Sequence, residues 1–156
     1  MVTRLVIGND HGGYEAKLEL MKHLQAKGVD VVNFGTDSTD IVRYPHYARQ
    51  VAGAVARGEF ERGILICSTG IGMSVAANKV KGIRAALCTD GYMARMTRQH
   101  NDSNVLCLGG KITGVFELID IVDTWLSESF IGGRHTLSLE IIARQEEEYG
   151  LTVPKA

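Results

Sequence analysis

An excess of charge of either sign is missing from this sequence: 17 Lys and Arg against 18 Asp and Glu leave a formal net charge of −1. A nucleic-acid binder must neutralise a run of phosphates, so that class is disfavoured, whereas a small anion needs only a few cations. No stretch approaches the length of a membrane span, so no membrane partner is expected. Proline is scarce, at two residues, and aromatics make up 6%. With 18 glycines, this composition suits tight turns in a regular sheet better than a disordered chain. The three cysteines, Cys67, Cys88 and Cys107, cannot all pair and show no CxxC spacing, which argues against a disulfide framework and a zinc site. Residues 1–7 read as the entry to a strand rather than an apolar leader, and cytoplasmic residence is the default expectation.

What is present is a regular alternation. The 156 residues have the size of one domain, expected to span 1–156 around a single core. Short β-branched runs at 5–7, 29–34, 63–67, 83–88 and 104–108 predict five buried strands. Between them, 14–27 places Leu18, Met21 and Leu24 at helical spacing and stops at Gly28, as a glycine-capped helix does. Further helices are predicted over 45–57, 71–79, 92–100 and 114–127. Strict β-α alternation implies a parallel sheet covered on both faces, an α/β three-layer sandwich. A last helix, about 135–149, carries Leu137, Leu139, Ile141 and Ile142 and is expected to dock on a partner subunit or across the sheet.

Ligands in such folds bind beyond the carboxyl ends of the strands, near the point where strand order reverses. The exits here are Asn9 to Gly13, Cys67 to Gly72, Thr89 to Gly91 and Gly109 to Lys111. The segment Cys67-Ser68-Thr69-Gly70-Ile71-Gly72 leads straight into a helix, and its backbone amides are expected to converge on an anion. A helix N-terminus favours the thiolate, so Cys67 beside those amides reads as a base or nucleophile. A small buried hydrophobe is the competing reading, and it is retained for Cys88 and Cys107. A cysteine phosphatase loop needs an Arg six residues past its Cys, where this chain has Met73. Walker A and GxGxxG patterns are both absent. Asp10-His11 supplies a carboxylate and an imidazole at the same sheet edge, and His100-Asn101-Asp102 is expected to bring a second such group, enough for acid-base chemistry. Capping of the next helix is the competing reading for Asp10, and His23 and His46 are read as structural hydrogen-bonders. Lys111 and Arg134, each in a Gly-rich turn, are candidate contacts for a small anionic ligand.

Several ordered motifs are familiar: Asp10-His11, Tyr44-Pro45-His46-Tyr47-Ala48, Ile66 to Gly72, Ala76-Ala77-Asn78-Lys79, Arg98 to Asp102 and Gly132-Gly133-Arg134-His135. On these the chain resembles the type B ribose 5-phosphate isomerases and the wider family that includes the allose and galactose 6-phosphate isomerases. The match runs from Arg4 to about Tyr149. The resemblance implies a Rossmann-like five-stranded parallel sheet and a homodimer, or a dimer of dimers, with shared active sites. It also implies interconversion of aldose and ketose phosphates through an enediolate without metal or cofactor. Carried over by position, Cys67 shuttles the proton between C1 and C2, the amides of Ser68, Gly70, Ile71 and Gly72 hold the enediolate, and Thr69 assists with hydroxyl protons. His100 opens the sugar ring, Asp10 contacts sugar hydroxyls, Tyr44 lines the pocket and Asn101 binds the sugar. His11, Lys111 and Arg134 match phosphate-binding positions, some supplied by the second subunit.

The sequence departs from this pattern at three places. Ser138, four residues beyond Arg134, stands where a second phosphate-binding Arg is usual. Lys111 replaces an Arg, and Ser68 replaces a Gly in many relatives. Losing a bidentate guanidinium costs on the order of 1.5 to 3 kcal/mol at a desolvated site, so the phosphate end of the substrate is where this chain differs. The alternatives to a ribose 5-phosphate isomerase are an isomerase of allose, galactose or tetrose phosphates, or a non-catalytic phosphosugar-binding module. A redox thiol at Cys67 is disfavoured by the absence of a resolving CxxC partner.

Overall fold

The computed structural model describes residues 2–156. Five strands, β1 (Arg4–Asn9), β2 (Asp30–Asn33), β3 (Gly63–Cys67), β4 (Ala85–Leu87) and β5 (Val105–Gly109), form one parallel sheet in the order β2-β1-β3-β5-β4. Helices α1 (Tyr14–Ala26), α2 (Tyr44–Ala56), α3 (Ile71–Ala77), α4 (Gly91–Asn101) and α5 (Val115–Ser127) connect or follow the strands, and α6 (Arg134–Glu148) ends the regular structure. The five strands and six helices expected from periodicity are all present, with ends shifted by a few residues. The sequence reading missed a single 3-10 turn at His11–Gly13, too short to leave a period.

Side-chain alternation divides the core into two layers. Leu5, Ile7, Ile64, Ile66, Leu106 and Leu108 face α1 and α5, where Leu20, Leu24, Leu118, Ile121 and Trp125 are buried. Val6, Leu65, Cys67, Val105 and Cys107 face α2 and α3, where Ala48, Val51, Ala52 and Met73 are buried. Gly63 permits this second layer to close: a Cβ there would stand 2.8 Å from Val51 Cγ1. Trp125 is fully buried, and its indole N–H donates to Ser103 Oγ at 2.8 Å, so its one polar group is satisfied.

One expectation about a helix face needs correction. Of the three residues expected on the buried face of α1, Leu24 is buried and Met21 packs half-buried against the core, but Leu18 is 47% exposed, and Ala16, Lys17 and Leu20 complete the buried stripe. On α6 no residue is buried, and Leu137, Ile141 and Ile142 are all exposed. The helix lies beside the edge strand β4, where Leu139 and Ile142 line a cavity of ≈ 300 Å³ with Asn78, Arg84 and Thr97.

Candidate active site

Strand order reverses at β1: the chain leaves β1 for β2 on one side and later returns to β3 on the other. The crevice between the carboxyl ends of β1 and β3 is therefore the expected ligand position. Cys67, the last residue of β3, lies there, 5% exposed. Its Sγ accepts the Gly70 N–H at 3.1 Å. That contact depends on Gly70, whose φ of +78° bends the loop back on itself. A Cβ at Gly70 would come within 2.5 Å of Leu87 Cδ1 and 2.9 Å of the Leu108 carbonyl carbon. Gly70→Ala is expected to lower stability by about 1–3 kcal/mol and displace the loop, read as a lower urea midpoint together with loss of turnover.

The neighbours of this loop are set by strand pairing. Lying next to β3, β5 brings its exit under the loop: Gly110 N donates to Cys67 O at 2.8 Å and Lys111 N to Ser68 O at 3.0 Å. Thr69 Oγ1 accepts the Ile71 N–H at 3.3 Å, and Gly72 N has no partner among the described residues. On the β1 side, the turn at Gly12 and Gly13 nests against β3. A Cβ at Gly12 would stand 2.2 Å from Ser68 Oγ, so the Ser68 hydroxyl fills space against that glycine.

Asp10 is 6% exposed, and its Oδ1 accepts the Gly12 N–H at 2.9 Å, so it does cap the turn that follows. Its second oxygen makes no hydrogen bond among the described residues and is free for another partner. The half-buried His11 accepts the Val42 N–H on Nδ1 at 3.3 Å. A lone pair used at Nδ1 assigns the proton of the neutral ring to Nε2. Tyr44, 37% exposed, lies over the loop: a Cβ at Gly72 would fall 2.9 Å from its ring. Lys111 is exposed, its Nζ 3.6 Å from Glu15 Oε2, a solvent-screened pair that leaves the ammonium available.

The remaining expected residues are elsewhere. After β4 reaches the carboxyl edge, α4 runs back across the sheet for eleven residues, about 16 Å of rise, and delivers His100 and Asn101 to the amino edge. There Arg84, which precedes β4, donates to Asn101 O and Asp102 O at 3.0 and 2.9 Å. The expectation that His100 shares a sheet edge with Cys67 therefore does not hold within one chain. Arg134 and Ser138, exposed on the first turns of α6, lie with His100 rather than with Cys67. His135, to which the sequence assigns no role, stacks on His100 with ring centroids 4.2 Å apart and planes 7° from parallel. Only the adjacency of His135 to Arg134 pointed to it, because the stack is a tertiary contact between α4 and α6. Of the two histidines read as structural, His23 bonds Asp123 at 2.9 Å, but the exposed His46 side chain has no partner among the described residues.

Burial pushes the Cys88 thiol up to about 12, with Asp90 adding to it, and pushes the fully buried Cys107 up as well. These two are the inert thiols expected of core cysteines. His135 is held below its ordinary value of 6.5 by burial, then by His100 and Arg134. The unfolded chain takes up that proton at the ordinary value. The neutral stacked ring thus contributes fully above about pH 6.5 and loses its contribution as pH falls below it. Urea midpoints are expected to drop between pH 7.5 and 5.5, and His135→Phe, which keeps the stack without titrating, should reduce that drop. An unchanged pH difference in the variant would refute it.

The chain is thus an open parallel α/β fold with a thiol and an amide loop at its switch point, where folds of this class hold their ligands. The chain belongs to the Ribose/Galactose Isomerase family, which matches residues 5–142. It is 48% identical over 146 residues to ribose-5-phosphate isomerase B of Escherichia coli (strain K12), covering 94% of this chain and 98% of that protein. The solved ribose-5-phosphate isomerase B of Clostridium thermocellum superposes with a TM-score of 0.92 at 51% identity, over 94% of this chain and 99% of the other. The Mycoplasma genitalium ribose-5-phosphate isomerase B, solved with bound ribulose-5-phosphate, gives 0.89 at 41% identity over 93% and 97%. Among the described residues no helix is long and apolar enough to cross a membrane, and no cluster of His, Cys, Asp or Glu is arranged to hold a metal ion.

Proposed function

We propose that this protein is an aldose-ketose isomerase interconverting ribose 5-phosphate and ribulose 5-phosphate through a cis-enediolate, in the cytoplasm and as a homodimer with shared sites. The observation that carries the reading is Cys67, its sulfur facing the loop amides at the strand-order switch point. Family membership and the names of the relatives support the substrate.

In the aldose-to-ketose direction Cys67 Sγ removes the C2 proton. The C–H electron pair becomes the C1–C2 double bond, and O1 takes the negative charge. Of the loop amides at Ser68, Gly70, Ile71 and Gly72, those of Gly70 and Ile71 donate to Cys67 Sγ and Thr69 Oγ1 while that of Gly72 is unpaired among the described residues, so the loop meets that oxygen first through Gly72, and charge developing there is where fixed dipoles contribute most. Cys67 returns the proton to C1 while the O2 proton moves to O1, with Thr69 assisting. Asp10 and Tyr44 hold sugar hydroxyls, and His11 Nε2–H with Lys111 meets the phosphate. His100, Asn101, Arg134 and Ser138 sit at the far edge of their own chain, so a partner subunit must present them to Cys67. The exposed apolar residues Leu137, Ile141 and Ile142 of α6 support such an interface.

The test is a turnover screen of aldose and ketose phosphates from four to six carbons, with deuterium uptake at C2 from labelled solvent. Fastest turnover of ribose 5-phosphate is expected. A hexose or tetrose phosphate as the best substrate would reassign the specificity, and tight binding with no turnover across the panel would mark a binding module instead. Ser138→Arg, restoring a guanidinium at the phosphate end, is expected to lower KM about tenfold at little change in kcat. An unchanged KM would show that Ser138 does not meet the phosphate.

A further inference from the structure

Among the described residues no charged side chain is as deeply buried as Lys17, whose side chain is 0% exposed. Its ammonium donates to Thr36 O and Asp37 Oδ1, each at 2.6 Å, and to Asn33 Oδ1 at 3.4 Å. Three acceptors match the three N–H bonds of an ammonium, which a lysine out of water requires. The Tyr14 ring lies 5.2 Å from the same nitrogen. The Lys17 hydrogen bond, then that of Asn33, holds the Asp37 carboxyl below its ordinary value of 3.8.

All three acceptors belong to the end of β2 and the loop 34–43 that follows it. Other bonds fasten the same stretch: Asn33 Nδ2 to Asp37 at 2.8 Å, Gly35 N to Asn33 Oδ1 at 2.9 Å, and reciprocal bonds between Asn9 and Thr36, both 3.2 Å. Beyond Asp37 the loop is mostly exposed until Val42 N–H reaches His11 Nδ1 and α2 opens at Tyr44. The loop is thus anchored at its start by Lys17 and ends on two residues of the site.

We propose that Lys17 is a positioning residue: by fixing Thr36 and Asp37 it seats the loop so that Val42 holds His11 in the Nε2–H tautomer and Tyr44 stays over Gly72. A methionine of similar length would remove the one donor shared by Thr36 O, Asn33 Oδ1 and Asp37 Oδ1, leaving the first two only the bonds from Asn9 Nδ2 and Gly35 N, and the loop would loosen to regain water. The effect on substrate rests on the isomerase reading, whereas the effect on His11 does not.

The experiment compares wild type with Lys17→Met by ring ¹⁵N shifts of His11 and by amide hydrogen exchange. The wild type is expected to show a single Nε2–H tautomer. In the variant the tautomers should mix and amides 36–42 should exchange about tenfold or more faster, with the central strands β3 and β5 unchanged. KM for the phosphosugar should rise about tenfold with kcat within about threefold. Asp37→Ala, which leaves Lys17 two of its acceptors, should shift the same readouts in the same direction by less, and it decides the matter if Lys17→Met does not fold. A wild-type His11 tautomer and wild-type loop exchange in the variants would overturn the proposal. So would exchange that rises uniformly through the sheet, the mark of general destabilisation. If the wild type turns over no phosphosugar, the isomerase reading fails while the tautomer and exchange data still decide the role of Lys17.

Discussion

Chains carrying Cys67→Ala and chains carrying His100→Asn, each nearly inactive alone, should regain about a quarter of wild-type activity when unfolded together in equal amounts and refolded. The arithmetic follows from the proposed homodimer with shared sites. Random pairing makes about half of the dimers mixed, and each mixed dimer has one site with both groups intact and one with neither. The physical basis is the return path of α4, which carries His100 about 16 Å from the carboxyl edge where Cys67 ends β3. No rotamer of a histidine spans that distance. Loss of a positioned acid-base group costs about 100-fold or more, so the background of the His100 variant is low enough for the recovery to be read. A mixture no more active than the mean of its two components would show that both groups act within one chain or that one of them does not act.

How much of this was legible beforehand depends on the range of the interactions. The strands and helices were, because residues such as Ile64, Leu65 and Ile66 carry their burial in a local run, and Gly28 marks a helix end by its own conformation. The gathering of Asp10, His11, Cys67 and Lys111 was legible too, because each ends or shortly follows a strand, and parallel strands end at one edge. The placement of His100 was not legible in the same way. Its position in the last turn of α4 gives it to the opposite edge, because that helix runs back across the sheet from the edge where Cys67 lies. Lys17 was missed for a different reason: a lysine within an amphipathic pattern is assigned to the solvent face, and only the β2–α2 loop supplies the acceptors that let it turn inward. The His100–His135 stack joins residues 35 apart through packing alone, which no periodicity reports.

Cys67→Ala should lower kcat by about 1,000-fold and abolish deuterium uptake at the substrate C2 while leaving the fold intact, as checked by near-UV circular dichroism. Small size and 5% exposure make the structural cost of the change modest, since only Sγ and the bond from Gly70 N–H are lost. Cys88→Ala and Cys107→Ala are the controls. Burial holds both of those thiols in the protonated form well above neutral pH, so neither can serve as base, and their removal should alter stability rather than rate. Cys67→Ser separates shape from chemistry: the hydroxyl can accept the same Gly70 N–H, yet a serine without a neighbouring base does not ionise near neutrality, so it should be about as inactive as the alanine variant. Asp10 is the competing base at this edge, and its Oδ1 is already committed to Gly12. If Asp10→Asn abolished C2 exchange while Cys67→Ala retained it, the carboxylate would take the role, and the amide loop would be left as an anion cradle beside a structural thiol.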